Sequence, residues 1–162
     1  MDLLKRKVNR LSEYDYSTPN AYFITICTAG HKNLFWENTS ISLHSSTDIP
    51  LSRNGHIVKS AILDIPNHYS MISVDHFAIM PNHVHLIMQI KSDSKGKMQP
   101  SPTISHVINQ TKGYISKQIG FNVWQKGFYD HVIRGEKEYR AIWNYIEGNP
   151  YRLAEDDIVI LE

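Results

Sequence analysis

The stretch Phe77-Ala-Ile-Met-Pro-Asn-His-Val-His-Leu-Ile-Met-Gln-Ile90 decides the fold of this 162-residue chain. Apolar runs flank Met80-Pro-Asn82, and proline and asparagine are typical of turns, so a hairpin is predicted with strands at 71–79 and 83–90. Side chains two residues apart in a strand project from the same face. His83 and His85 should therefore point together, while Val84 points into the core.

Two imidazoles on one strand face form a potential metal site. The alternative is a His-x-His that arises by chance or only makes hydrogen bonds, in a chain with nine histidines. Two histidines rarely suffice for a catalytic ion, which needs a third protein ligand or several waters.

The remaining patterns predict a single domain over 1–162 with an N-terminal arm at 1–20 and no internal repeat. Apolar spacing and turn residues separate the elements. We expect a strand at 21–28, a loop or short hairpin at 29–54, a helix capped by Asn54 and ended by Pro66, a loop at 92–102, a helix from Thr103 to Gly120, a strand at 128–133 and a helix from Glu136 to Gly148. This order predicts an α+β fold of the split βαβ type, an antiparallel sheet with helices on one face.

Composition narrows the classes of protein. No run of about 18 apolar residues predicts a membrane span, and no secretory signal begins the chain. The single cysteine, Cys27, lies in a strand-like apolar run, which favours a buried thiol and a cytoplasmic protein. The net charge of +1 does not by itself indicate a nucleic-acid binder, although basic residues recur through the second half of the chain.

The C-terminal helix offers partners for the histidine pair. Tyr145 and Asn149 are four residues apart and therefore share a helix face. Asn149 is expected at the end of this helix, where its side-chain oxygen could reach an ion beside Tyr145. A tyrosine hydroxyl can attack a metal-polarised phosphodiester, which suits strand transfer better than hydrolysis. The alternative is a tyrosine that only packs at the domain edge.

Three sequence blocks occur in a familiar order. They are Met80-Pro-Asn-His-Val-His-Leu-Ile87, Val123-Trp-Gln-Lys-Gly-Phe-Tyr-Asp-His-Val-Ile-Arg134, and Tyr145-Ile-Glu-Gly-Asn-Pro150 preceded by Tyr139. Together they resemble the single-tyrosine HUH transposases, above all the REP-associated tyrosine transposases and their insertion-sequence relatives. The resemblance covers roughly residues 18–153.

This resemblance implies a ferredoxin-like fold, a divalent metal ion (Mg²⁺ or Mn²⁺), and cleavage and joining of single-stranded DNA, usually beside a hairpin. It implies that His83 and His85 are metal ligands and that Tyr145 is the nucleophile, with a 5′-phosphotyrosine intermediate. Asn149 stands where the family has a polar third ligand. Tyr114, Tyr129 and Tyr139 are rival tyrosines.

A single-stranded DNA partner requires basic side chains for its phosphates. His131 and Arg134 of the second block can contact phosphate or support the fold. A homodimer is possible, no membrane partner is expected, and the resemblance implies association with a bacterial nucleoid. The alternatives in function are a domesticated, non-catalytic DNA-binding domain and a metal-dependent phosphodiester hydrolase. The candidate DNA-binding residues are Lys112, Lys117, Lys126, His131, Arg134, Lys137 and Arg140.

Overall fold

A computed structural model describes residues 21–37, 50–91 and 103–152 of the chain. The predicted N-terminal arm, residues 38–49 of the predicted 29–54 segment and the predicted 92–102 loop lie outside the described residues. The elements are β1 (Ala21–Cys27), a 3-10 turn (Ala29–His31), α1 (Arg53–His68), β2 (Ile72–Ile79), β3 (His83–Ile90), α2 (Ile104–Ile119), β4 (Tyr129–Val132) and α3 (Gly135–Arg152). Their order confirms the predicted succession of strands and helices.

The four strands form one antiparallel sheet in the order β2-β3-β1-β4. β1 and β3 are adjacent in the middle, although a helix and a strand separate them in sequence. Their register places Cys27 opposite His83 and Thr25 opposite His85. The α+β class and the antiparallel sheet are confirmed, and the strand order is that of the ferredoxin-like arrangement.

The helices cover both faces of the sheet, which corrects the expectation that they lie on one face. One face, here called the core face, packs against α1 and α2 through residues such as Val84 and Leu86. The other, here called the site face, carries Phe23 and Ile87 and packs against α3 through Ile146. Because alternate residues of the central strands are apolar on both faces, each face must be buried.

Strand β2 contains a bulge between Val74 and His76, so that Asp75 is an extra residue opposite β3. Ile72 and Val74 precede the bulge and Phe77 follows it, yet all three pack in the core-face cluster. His76 lies opposite Ile87, so it faces the site side with α3. The bulge therefore changes the phase of the strand without moving apolar residues out of the core.

The helix ends show where local rules hold. Thr103 caps α2 by accepting a hydrogen bond from the His106 amide, and Gly120 ends it in the left-handed conformation with φ 104°, both as predicted. α1 differs, because the Ser52 hydroxyl accepts from the Gly55 amide at 3.1 Å, and Asn54 lies inside the helix instead of capping it.

Two predicted helix ends at proline are wrong. α1 continues past Pro66 to His68, and α3 continues past Pro150 to Arg152. Each proline lies in the last turn, where it removes one backbone hydrogen bond and the helix can still add a few residues. Asn149 therefore lies inside α3 and not at its end. Among the described helices, none combines the length and the apolar character that a bilayer crossing requires.

Candidate active site

His83 and His85 lie side by side on the site face near the start of β3. Their ring centroids are 4.6 Å apart, and their exposed fractions are only 4% and 3%. Val84 between them is fully buried in the core-face cluster. The alternation predicted from the sequence is confirmed, and the His85 ring lies beside Tyr145 of α3.

The histidine pair is held by hydrogen bonds to Nδ1. The side-chain oxygen of Asn82 lies 2.7 Å from Nδ1 of His83, and its amide nitrogen donates to the His31 carbonyl at 3.4 Å. Nδ1 of His83 therefore carries the proton and donates to Asn82, which leaves Nε2 with its lone pair. Nδ1 of His85 lies 2.8 Å from the Thr25 hydroxyl. The ring of Phe23 stacks on His85 with centroids 5.5 Å apart.

Both imidazoles are neutral near pH 7. Burial lowers the pKa of His83 to about 4, assisted by the nearby His31. Burial lowers the pKa of His85 to about 3, with a smaller contribution from His83. Neutral imidazole is the form that binds metal ions, because the ligating nitrogen must be unprotonated.

Helix α3 brings Tyr145 to the histidine pair. The Tyr145 ring lies with its centroid 5.5 Å from that of His85 and 6.2 Å from that of Phe23, edge-on to both. Ile146, the next residue, is fully buried against the sheet and fixes this side of the helix. Residues 60 positions apart in sequence thus meet across the site face.

Asn149 lies one helical turn beyond Tyr145 and is half-buried. Its side-chain nitrogen is buried and has no hydrogen-bond partner among the residues that the structure describes. A buried NH2 donor without a partner is costly, so this nitrogen fits a ligand that accepts a hydrogen bond, such as a phosphate oxygen.

The donor set fits a divalent cation that accepts nitrogen and neutral oxygen ligands. Within 21–37, 50–91 and 103–152, no three His, Cys, Asp or Glu side chains form a group that could hold a metal ion. An ion at the pair would therefore be bound by the two imidazoles, with the Asn149 amide oxygen and water as the remaining donors. Imidazole suits Mn²⁺ better than Mg²⁺.

The three rival tyrosines have different surroundings. Tyr139 donates its hydroxyl to Asp75 at 2.7 Å, and burial together with this carboxylate raises the pKa of Tyr139 to about 12. Tyr114 is 55% exposed on α2, at the core face of the sheet and away from the histidines. Tyr129 is opposite Thr25 on β4, so it faces the site side, and burial raises the pKa of its hydroxyl. By its position on the site face, Tyr129 therefore remains a rival candidate for the nucleophile.

Lys112 is buried, unlike a lysine that is available to contact DNA phosphates. Its ammonium group donates to the carbonyls of Gln125 and Gly127 at 3.0 and 2.7 Å, and the residue is 9% exposed. Burial lowers the pKa of this ammonium group, with an opposing contribution from Cys27. Lys112 therefore fastens the 125–127 segment to α2.

The other candidate DNA-binding residues are exposed, but they occupy different parts of the surface. Lys117 projects from α2 on the core-face side, whereas Lys137 and Arg140 lie on α3. Two of these exposed side chains already have acidic partners, since His131 contacts Glu138 and Arg140 contacts Glu136 at 2.6 Å. Lys126 and Arg134 are also exposed.

Sequence reasoning missed several residues of this site. Asn82 was assigned only to the turn, although its position next to His83 was a usable signal. Thr25 and Phe23 could not be assigned, because their contacts depend on the register between β1 and β3. Asp75 could not be assigned either, because nothing in a single sequence shows that a bulge turns it toward α3.

No family model matches the chain. A Haemophilus influenzae protein of uncharacterized function is 30% identical, and the match covers 96% of this chain and 93% of that protein. A second Haemophilus influenzae protein, provisionally named a REP-associated tyrosine transposase, is 26% identical over 62% of this chain and 61% of its own length.

Among solved structures, that of a REP-associated tyrosine transposase bound to a REP hairpin superimposes with a TM-score of 0.61. It covers 88% of this chain and 74% of that one, at 21% identity, and it shows that the fold is shared. The resemblance indicated by the three sequence blocks is thus confirmed. The chain belongs to the same family as the uncharacterized Haemophilus protein, and it is similar in part of its sequence and in its fold to REP-associated tyrosine transposases.

Proposed function

We propose that this protein is a DNA strand transferase that cuts and rejoins single-stranded DNA beside a hairpin, with Tyr145 as the nucleophile. The observation that carries the proposal is the contact between Tyr145 and His85 on the site face, at 5.5 Å between ring centroids. The solved relative binds a REP hairpin, which supports hairpin DNA as the substrate class here.

The proposed reaction exchanges one phosphodiester for another. The Tyr145 oxygen attacks the scissile phosphorus and releases its proton to water. The bond from phosphorus to the 3′ oxygen breaks, and that oxygen takes up a proton. The products are a 5′-phosphotyrosine on the protein and a free 3′-hydroxyl, so attack by a 3′-hydroxyl reverses the step without an external energy source.

Metal use is part of this proposal. His83, His85 and Asn149 would hold a Mg²⁺ or Mn²⁺ ion, with Nε2 of each imidazole as the ligating nitrogen. Such an ion supplies charge neutralisation and polarisation of the scissile phosphate when bound.

The test uses two singly labelled forms of one single-stranded DNA that carries a hairpin from the region flanking the gene, incubated with the protein and Mn²⁺. DNA labelled at its 3′ end should give labelled protein that survives denaturation. DNA labelled at its 5′ end should give only a shorter free strand. Tyr145→Phe should remove the adduct completely, since phenylalanine has no nucleophilic oxygen.

Two other tyrosines provide controls. Tyr114→Phe removes a hydroxyl on α2, away from the site face, and should leave the adduct unchanged. Tyr129→Phe tests the rival on β4. An adduct that persists in Tyr145→Phe and disappears in Tyr129→Phe would reassign the nucleophile.

The same assay distinguishes the other candidate classes. A metal-dependent hydrolase would release both DNA fragments with no labelled protein, and Tyr145→Phe would still cut. A non-catalytic DNA-binding domain would retain the hairpin but leave it intact, whatever the residue at position 83.

A further inference from the structure

The position of Tyr145 depends on how α3 is attached to the sheet. Tyr145 and Ile146 contact residues of the central strands, and one side chain of α3 reaches β4. Two further contacts of α3 are made at edge strand β2. Tyr139 and Trp143, which are four residues apart and lie on one stripe of the helix, make these contacts. This stripe meets β2 at its bulge.

The first contact is a hydrogen bond to the extra residue of the bulge. The Asp75 carboxylate accepts the Tyr139 hydroxyl on one oxygen at 2.7 Å and the Ser73 hydroxyl on the other at 2.9 Å. The hydroxyl of Tyr139 stays protonated across the physiological range, because burial and Asp75 raise its pKa to about 12. It is thus a permanent donor to a charged acceptor, which is a strong type of hydrogen bond.

The second contact is a ring stack at the next residue of the strand. The His76 imidazole lies on the Trp143 indole with centroids 4.2 Å apart and an angle of 16° between the planes. The Trp143 indole nitrogen donates to Glu147 at 3.1 Å, and the same carboxylate oxygen lies 3.9 Å from Nε2 of His76. The stack and the Tyr139 hydrogen bond thus fix two successive turns of α3.

The ladder between β2 and β3 does not need Asp75. Val74 pairs with Met88 and His76 with the next residue, Ile87, so Asp75 is left outside the regular pairing. Its carboxylate is therefore available to the helix, and its neighbour His76 is turned to the same side.

We propose that Asp75 and His76 are positioning residues: they anchor α3 on the edge of the sheet and so hold Tyr145 beside His85. This inference rests on the proposed role of Tyr145 as nucleophile. It adds that the bulge in β2, which lies two strands from β1 in the sheet, sets the alignment of that nucleophile.

The test begins with a readout that does not require catalysis. Asp75→Ala, Tyr139→Phe and the double variant are compared by amide hydrogen exchange in the full-length protein. Each single variant should raise exchange in α3 by about tenfold, since a buried hydrogen bond to a charged group is lost, while α1 and α2 stay protected. The double variant should resemble either single variant, because both remove the same bond. Unchanged exchange in α3 would overturn the inference.

The second readout is the rate of adduct formation at saturating hairpin DNA. Tyr139→Phe and His76→Ala should slow it by about tenfold with the dissociation constant for DNA unchanged, because a misplaced nucleophile loses rate and not affinity. Tyr114→Phe is the matched control and should keep the wild-type rate and the wild-type exchange. If Tyr139→Phe and His76→Ala both keep the wild-type rate while Tyr145→Phe is inactive, the inference is overturned and the proposed function is not. A fully active Tyr145→Phe would instead overturn the proposed function, and the exchange result would still judge the anchor.

Discussion

The two faces of the sheet are built from alternate residues of the same strands, yet they are buried in different ways. On the core face, α1 and α2 cover a large cluster of aliphatic and aromatic side chains drawn from nearly every element. On the site face, a single helix covers a small apolar cluster, and hydrogen bonds and ring contacts supply the remaining attachments.

Because of this difference, folding stability comes mainly from the core face, and the candidate chemistry lies on the site face. Hydrophobic burial scales with apolar area, so the core face supplies most of the folding energy. The site face can then hold two buried histidines and an amide nitrogen that has no hydrogen-bond partner within the described part of the chain, which stability alone would select against. The comparison predicts that changes on the two faces will have different consequences.

The largest expected effect comes from neighbouring residues of β3 that point to opposite faces. Leu86→Ala on the core face should lower the free energy of unfolding by about 2 to 5 kcal/mol, through lost burial and a cavity in a well-packed cluster. Ile87→Ala on the site face should cost about 2 kcal/mol, because the small cluster under α3 can relax into the space. Urea unfolding followed by circular dichroism measures both, and an Ile87→Ala cost above that of Leu86→Ala would break the comparison.

The next effect is a pH dependence that belongs to the site face. Since the pKa values of His83 and His85 are about 4 and about 3 in the folded protein, the unfolded chain, with its ordinary value near 6.5, takes up protons first as the pH falls. The free energy of unfolding should be level above about pH 7.5. It should then fall by about 2 kcal/mol per histidine between about pH 7.5 and pH 5.

Urea unfolding over this range, with EDTA present to remove metal ions, measures the loss. The variant H83Q/H85Q should lose this slope. An equal slope in the wild type and the double variant would show that the destabilisation on acidification arises elsewhere.

The smallest effect is on metal affinity, and it compares a hydroxyl on the site face with a hydroxyl on the core face. Thr25→Val removes the hydroxyl that meets His85, and Asn82→Ala removes the partner of His83. Each should weaken Mn²⁺ binding, measured by calorimetry, by about 10- to 100-fold, since such partners orient the ligating ring and fix its tautomer. Thr111→Val is the control, because that buried hydroxyl bonds to its own helix on the core face. Equal affinities in all three variants would contradict the role given to the hydrogen bonds.

The sequence predicted those parts of the molecule that depend on local pattern. The hairpin of β2 and β3 and the bounds of α2 follow from periodicity and turn residues, and both are present. The prediction that all helices lie on one face was wrong, because α3 packs on the opposite face. The split βαβ pattern fixes the side of its two crossover helices, and it gives no rule for an additional helix. The two prolines were misjudged because a proline in a last turn removes only one hydrogen bond.

The candidate metal ligands and the candidate nucleophile could be named from the sequence, but their surroundings could not. His83, His85 and Tyr145 carry chemistry in their own side chains and stand in recognisable blocks. Thr25, Phe23 and Asp75 are ordinary residues whose roles come only from strand register, which a single sequence does not fix. The burial of Lys112 likewise depends on the path of the 125–127 segment.

The bulge in β2 has a consequence for the length of the chain. If Asp75 were deleted, Ile72, Val74, Phe77 and Ile79 would alternate without interruption, and the register with β3 would stay as it is. A homologue that is one residue shorter at this point could therefore keep an intact sheet and an unchanged core. It would lose only the carboxylate that meets Tyr139. A single-codon gap in β2 would thus mark family members whose tyrosine helix is attached differently.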